Sequence, residues 1–196
     1  RRFAVWLAVI VAFSLLDVAV GRCDIPPDTN GNVVIPDTWT SIADSGFFLC
    51  TKLKTITFGS SSVLTSFGTS AFQGTALTSI AIPDSVTVLG DSAFYGCSSL
   101  KTVTFGSGSV LTSIGANAFY QSGLTAIAIP ASVTVIGDFA FARCSNLFAV
   151  TFSRNSDLAI GDSAFFQCGT LTMVSFPCGA KATIGASAFA SIGLPS

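Results

Sequence analysis

The 196 residues contain no histidine and no glutamate, and only a tenth of them are charged. The lack of His removes the usual general base for a Ser or Cys nucleophile. It also removes the common nitrogen ligand of zinc sites. With no Glu, all ten acids are Asp, a residue that suits caps and turns better than long helices. The four lysines form no catalytic constellation, and no run of Lys and Arg makes a basic patch, which argues against a nucleic-acid partner. There is no Asn-x-Ser/Thr site for N-glycosylation. Gly106-Ser107-Gly108-Ser109 is not followed by a Lys-Ser/Thr pair opening a helix, so it reads as a turn and not a phosphate loop.

What the chain has is repetition. An Ile/Leu-Gly-x-x-Ala-Phe phrase recurs with anchors at Ile42, Phe67, Leu89, Ile114, Ile136, Ile160 and Ile184, separated by 25, 22, 25, 22, 24 and 24 residues. Self-similarity at this period marks a solenoid. Val33-Val34-Ile35-Pro36-Asp37 is a half copy ahead of the first anchor. Each copy carries a second phrase, Leu-x-x-Ile/Val-x-Phe/Ile, as at Leu53/Ile56/Phe58 and Leu100/Val103/Phe105. Alternation with β-branched residues predicts a strand with one inward and one outward face. One coil cannot bury its own apolar side, but a stack turns these positions into continuous ladders.

The repeat Phe forms another ladder: Phe47, Phe72, Phe94, Phe119, Phe141, Phe165 and Phe189. Asp44, Asp91, Asp138 and Asp162 precede it closely, where an N-cap for a short helical turn is expected. Long copies end their strand in Phe-Gly or Phe-Ser, and short copies in Ile-Pro (Ile82-Pro83, Ile129-Pro130). Proline cannot donate to a ladder and so marks the strand exit.

The stretch LTSIAIPDSVTVLGDSAFYGCSSLKTVTF resembles the BspA-type leucine-rich repeats, and the resemblance runs from about Gly31 to Ser196. It implies an α/β-type leucine-rich repeat solenoid. This would be right-handed and β-rich, with a parallel sheet on one face, short helical turns on the other and about seven coils. It also implies a secreted or cell-surface module, similar to adhesins that bind host matrix proteins or other cells. No catalytic residues and no cofactor come with it.

The chain order fits export. Arg1-Arg2, the apolar run Phe3 to Leu16 and the small residues Ala19-Val20-Gly21 read as a signal peptide over residues 1–21. The rival is an uncleaved anchor, since the run approaches spanning length. Membrane contact is expected only through that segment or through an anchor beyond Ser196. Cleavage after Gly21 would leave seven basic and nine acidic residues, a net charge of −2. Residues 22–41 read as an entry cap with the half repeat, and Trp39 is expected to pack beneath it. Residues 42–196 read as the solenoid, whose last copy stops before its strand and so suggests a truncated array. The uncapped end favours a second reading, an element that assembles end to end, and a third, the ectodomain of a receptor.

Cys50, Cys97, Cys144 and Cys168 share one position, three residues after the repeat Phe. The expectation is a small buried residue. Cysteines two coils apart lie about 10 Å from one another, too far for a disulfide. Cys144 and Cys168, on adjacent coils, are the one pair in this ladder that could close. Cys23 and Cys178 lie toward opposite ends and are not expected to pair with each other. No coil supplies two metal ligands, so no metal is expected.

The binding candidates are outward strand positions. Most are Thr, Ser or Ala, among them Ala149. Phe148 and Met173 stand out as neighbouring apolar residues, a candidate contact for a protein or glycan partner. Lys54 and Lys101 are the cations of the same face.

Overall fold

A computed structural model describes residues 21–153 and 157–193; the expected signal peptide, residues 1–21, lies outside them apart from Gly21. The chain winds as a parallel β-solenoid of about seven coils. Its strands, in order, are β1 (Asn32–Ile35), β2 (Ser41–Ile42), β3 (Thr55–Phe58), β4 (Ser66–Phe67), β5 (Ser79–Ile82), β6 (Val88–Leu89) and β7 (Thr102–Phe105). There follow β8 (Ser113–Ile114), β9 (Ala126–Ile129), β10 (Val135–Ile136), β11 (Ala149–Phe152), β12 (Leu158–Ile160), β13 (Met173–Ser175) and β14 (Ala182–Ile184). Each coil gives one longer strand to one face and one short strand to a flanking face.

The even-numbered strands form an unbroken seven-stranded parallel sheet, whereas the odd-numbered ones divide into β1-β3, β5-β7 and β9-β11-β13. Both divisions fall where the incoming strand exits through a proline, Pro83 after β5 and Pro130 after β9. At the intact β9–β11 junction Ser153 N donates to Ile129 O at 3.0 Å. Pro83 and Pro130 have no N–H for the equivalent bond. Neighbouring strands still touch across each division: Thr78 N donates to Lys54 O at 3.2 Å and Thr125 N to Lys101 O at 3.3 Å. The proline therefore opens the exit end of the strand and not its entrance.

The expected helical turns are absent among the described residues. In their place the Asp-Ser-Ala-Phe phrase makes consecutive three-residue-span turns, as in Phe48 N to Ser45 O (3.1 Å) and Cys50 N to Phe47 O (3.1 Å). A left-handed residue starts each run, with φ near 55° at Ser45, Ser70, Ser92, Asn117, Phe139, Ser163 and Ser187. A second follows four positions later, and there Gly74 and Gly96 take φ of 68° and 67°, which glycine adopts without steric cost. Positive φ at both ends prevents a helix. The turns are instead stitched to the next coil, with Ser45 N donating to Thr69 O (2.8 Å), Phe47 N to Ala71 O (2.7 Å) and Leu49 N to Gln73 O (2.8 Å).

The Asp ladder also works between coils, contrary to the N-cap expectation. Asp44 Oδ1 accepts from Thr69 N at 2.7 Å, Asp91 from Ala116 N at 2.8 Å, Asp138 from Asp162 N at 2.8 Å, and Asp162 from Ala186 N at 2.6 Å. Each carboxylate satisfies an amide one coil on, so the cap serves the stack instead of a helix.

Inside, the repeat phenylalanines form a face-to-face column. Ring centroids from Phe47 through Phe189 are 5.0 to 5.3 Å apart with interplanar angles of 10° or less. The Leu ladder from Leu53 to Leu171 is fully buried. Burial of each such side chain contributes about 1.5–3 kcal/mol, and each aromatic pair about 0.5–1.5 kcal/mol more. Trp39 packs against this core, as expected of a residue under the entry cap.

Candidate functional site on the strand face

The outward residues of the longer strands lie in straight rows because the register is strictly in phase. Backbone bonds define one row: Thr78 N to Lys54 O, Lys101 N to Thr78 O (2.9 Å), Thr125 N to Lys101 O, Phe148 N to Thr125 O (2.9 Å) and Thr172 N to Phe148 O (3.2 Å). Lys54, Lys101 and Phe148 therefore share a row, on every second coil. Lys101 stands two coils from Phe148, about 10 Å, and Lys54 four coils away, about 19 Å. The four candidates occupy one face, but only Phe148 and Met173 come together.

Phe148 is 50% exposed and Met173 55% exposed. Met173 N donates to Phe148 O at 3.1 Å, which makes the two residues neighbours across β11 and β13. Ala149, expected to face out, is buried, and its register partner is Met173. The rest of the face is Thr, Ser and Ala, with Val34 exposed on β1. Such a surface can make contacts, but it offers no paired acid and base. Among the described residues no group of three or more His, Cys or Asp side chains could hold a metal ion.

The cysteines required a correction. The disulfide joins Cys23 of the entry cap to Cys50, with a Cα–Cα distance of 5.5 Å. Cys144 and Cys168 are buried free thiols, not a disulfide. The reason is a ladder of thiol hydrogen bonds to the preceding coil: Cys97 Sγ donates to Phe72 O at 3.0 Å, Cys144 Sγ to Phe119 O at 3.0 Å and Cys168 Sγ to Phe141 O at 3.1 Å. Cys50 belongs to the first full coil, which has no repeat Phe before it, and Cys23 of the cap fills the vacancy. Short copies place Thr75 and Ser122 at the same position, and both are buried. With the thiol protons on the Phe carbonyls, the hydroxyls donate to sulfur, Thr75 Oγ1 to Cys97 Sγ (3.4 Å) and Ser122 Oγ to Cys144 Sγ (3.2 Å). Burial pushes the Cys97 thiol up. The adjacent Cys144, and then burial, push Cys168 up. Neither thiol is a poised nucleophile.

Sequence reasoning did not find Thr75 and Ser122, although their spacing from Phe72 and Phe119 equals that of Cys from Phe in the long copies. It also did not find a surface stack on the turn side. There Tyr95 and Tyr120 lie 4.9 Å apart at 8°, Arg143 sits 5.8 Å over Tyr120, and Arg143 Nε donates to Gln167 Oε1 at 2.9 Å.

Six copies of the BspA type leucine rich repeat region match this sequence, over residues 29–115 and 65–194. The chain belongs to that family. The BspA-type chain is similar in structure to a leucine-rich repeat protein of T. pallidum (TM-score 0.75, 27% identity, covering 85% of this chain and 78% of that one). It is similar also to a leucine-rich repeat protein of Eubacterium ventriosum (TM-score 0.72, 25% identity, 86% and 44%). A looser likeness is to the pneumococcal vaccine antigen PcpA (TM-score 0.49, 21% identity, 79% and 54%). The BspA-type chain thus spans about half the length of the pneumococcal and Eubacterium proteins. No curated protein matches it.

Proposed function

We propose that this BspA-type chain is an exported, non-catalytic binding module that holds a protein partner on its open strand face. The observation that carries the reading is the pair Phe148 and Met173, two large apolar side chains half exposed beside one another on a face made mostly of Thr, Ser and Ala, on which Lys54, Lys101 and the exposed Val34 stand apart. Exposed aromatic and Met side chains clustered on a rigid surface are the usual anchors of protein interfaces. The Cys23–Cys50 disulfide supports a secreted or cell-surface location, because such bonds persist in oxidising compartments. The basic and apolar N-terminal segment supports the same reading.

The test is binding of the mature chain to immobilised fibronectin, laminin and collagen. At least one should bind, and replacing Phe148 and Met173 together by Ser should weaken that binding at least ten-fold without moving the melting temperature. Equal binding by the variant would remove these residues as the contact. Failure of the native chain to bind any of the three would remove the matrix-adhesin form of the proposal.

A further inference from the structure

The prolines that divide the odd-numbered strands leave two clefts at the strand exits. The first, of about 460 Å3, has Phe58 and Phe105 as walls and Ile82 and Pro83 as its floor, with Ala81 and Thr104 at its mouth. The second, of about 320 Å3, runs from Phe105 over Pro130 to Ser153, with Ala128 at its mouth. Phe105 therefore stands between the two clefts, each set where a short copy lies between two long ones; Phe58 closes the far side of the first and Ser153 that of the second.

The spacing selects an occupant. Equivalent points of the clefts are two coils apart, about 9.6 Å at the usual strand separation. A polyproline II helix rises about 3.1 Å per residue and presents the same side every third residue, about 9.3 Å. A β-strand ligand repeats every second residue, about 6.7 Å, and falls out of step. Aromatic side chains beside apolar surface are the known means of seating proline rings; the first cleft has two, Phe58 and Phe105, and the second shares Phe105.

Charge defines the ligand further. Asp84 is the one charged residue lining the first cleft, and no Lys or Arg lines either. A cationic ligand is complementary to that edge, whereas an acidic one is not.

We infer that the paired clefts flanking Phe105 bind an extended, proline-rich segment of a protein partner, with prolines at every third position and a Lys or Arg set against Asp84. This rests on the reading of the chain as a binding module but not on the Phe148–Met173 contact, which lies nearer the strand entrances.

The experiment titrates the mature chain with three probes by fluorescence anisotropy. The first is a twelve-residue peptide with Pro at every third position and one Arg. The second has the same composition with Pro at every second position. The third is a labelled β-1,4-linked hexasaccharide. The first should bind at least ten-fold tighter than the second. Ala81→Gln and Ala128→Gln, each filling one exposed cleft mouth, should weaken it at least five-fold. Asp84→Asn should remove the preference for Arg over Gln in the peptide. Phe148→Ser with Met173→Ser should leave the peptide affinity unchanged, which separates this site from the matrix contact. Equal binding of the two peptides, tighter binding of the hexasaccharide, or indifference to both Gln variants in chains of native circular dichroism would overturn the assignment.

Discussion

Long and short coils share the same inward ladders but differ at both ends of the strand, and the differences are paired across neighbours. On the turn side, long copies carry Cys and the short copies Thr75 and Ser122, so that hydroxyl meets sulfur between one coil and the next. At the strand exit, Asp37 and Asp84 follow the Ile-Pro of the half copy and of a short copy, and the next long copy has Gly59 or Gly106 facing the carboxylate. The third pair lacks the acid, and there Ala131 is matched by Ser153. As far as Cys144 the physical unit is therefore a pair of coils, each of which completes the other; the next coil, with Cys168, is a second long copy and stands outside the alternation. A single-coil consensus would describe the core and miss what sets the register of long against short.

The largest expected effect tests whether the core really is indifferent to coil type. Phe94→Ala in a long copy and Phe119→Ala in a short one should each cost about 3–5 kcal/mol, since each removes a buried ring stacked on both sides. Urea unfolding monitored by circular dichroism gives both values. A cost at Phe119 below half that at Phe94 would show that the ladder is not uniform. The Phe and Leu ladders were legible in the sequence because period and chemistry coincide there: each residue sees copies of itself. The outward rows were legible for the same reason, and Phe148 was placed on them by strand alternation alone.

The parts that sequence reasoning missed all involve unlike partners on different coils. Nothing local marks Asp44 as serving Thr69 instead of its own turn, because a capping Asp and an inter-coil Asp occupy the same phrase. The turn was read as helical since Asp-Ser-Ala-Phe suits a helix start, yet left-handed Ser45 and its equivalents prevent one. Cys144 and Cys168 looked pairable from coil spacing, whereas the direction of each side chain, toward the Phe carbonyl of the coil before, was not in the spacing. Cys23 escaped pairing with Cys50 because it lies in the cap, where the repeat supplies no register.

The next effect separates the first coil from all later ones. Closing a 27-residue separation with a disulfide should contribute about 3–4 kcal/mol through restriction of the unfolded chain. Cys23→Ser with Cys50→Ser should lose that amount, whereas Cys97→Ser, which keeps a donor toward Phe72 O, should lose only about 1 kcal/mol. Thermal melts of the two variants, checked by thiol labelling under denaturing conditions, decide the matter. If both variants lose the same stability, the cap is no more than another coil.

The smallest effect is the sharpest test of pairing. A Cβ added at Gly106 would lie 2.1 Å from Asp84 Oδ1 and 2.8 Å from its Cγ. The φ of Gly106 is not in the left-handed region, so the constraint is space, not backbone conformation. The carboxylate hangs on a short side chain and can swing aside only in part. Gly106→Ala should then cost about 1 kcal/mol, of the size seen for mild overpacking. In an Asp84→Ala background the same change should cost nothing, since Ala131 already stands opposite a residue with a Cβ, Ser153. The coupling energy from the double-mutant cycle should therefore equal most of the single-mutant loss, within the 0.5–3 kcal/mol range about which contacting residues scatter. Additive losses would mean that glycine at this position answers to the turn that follows it, Gly106 to Ser109, and that adjacent coils are matched at the Cys ladder alone.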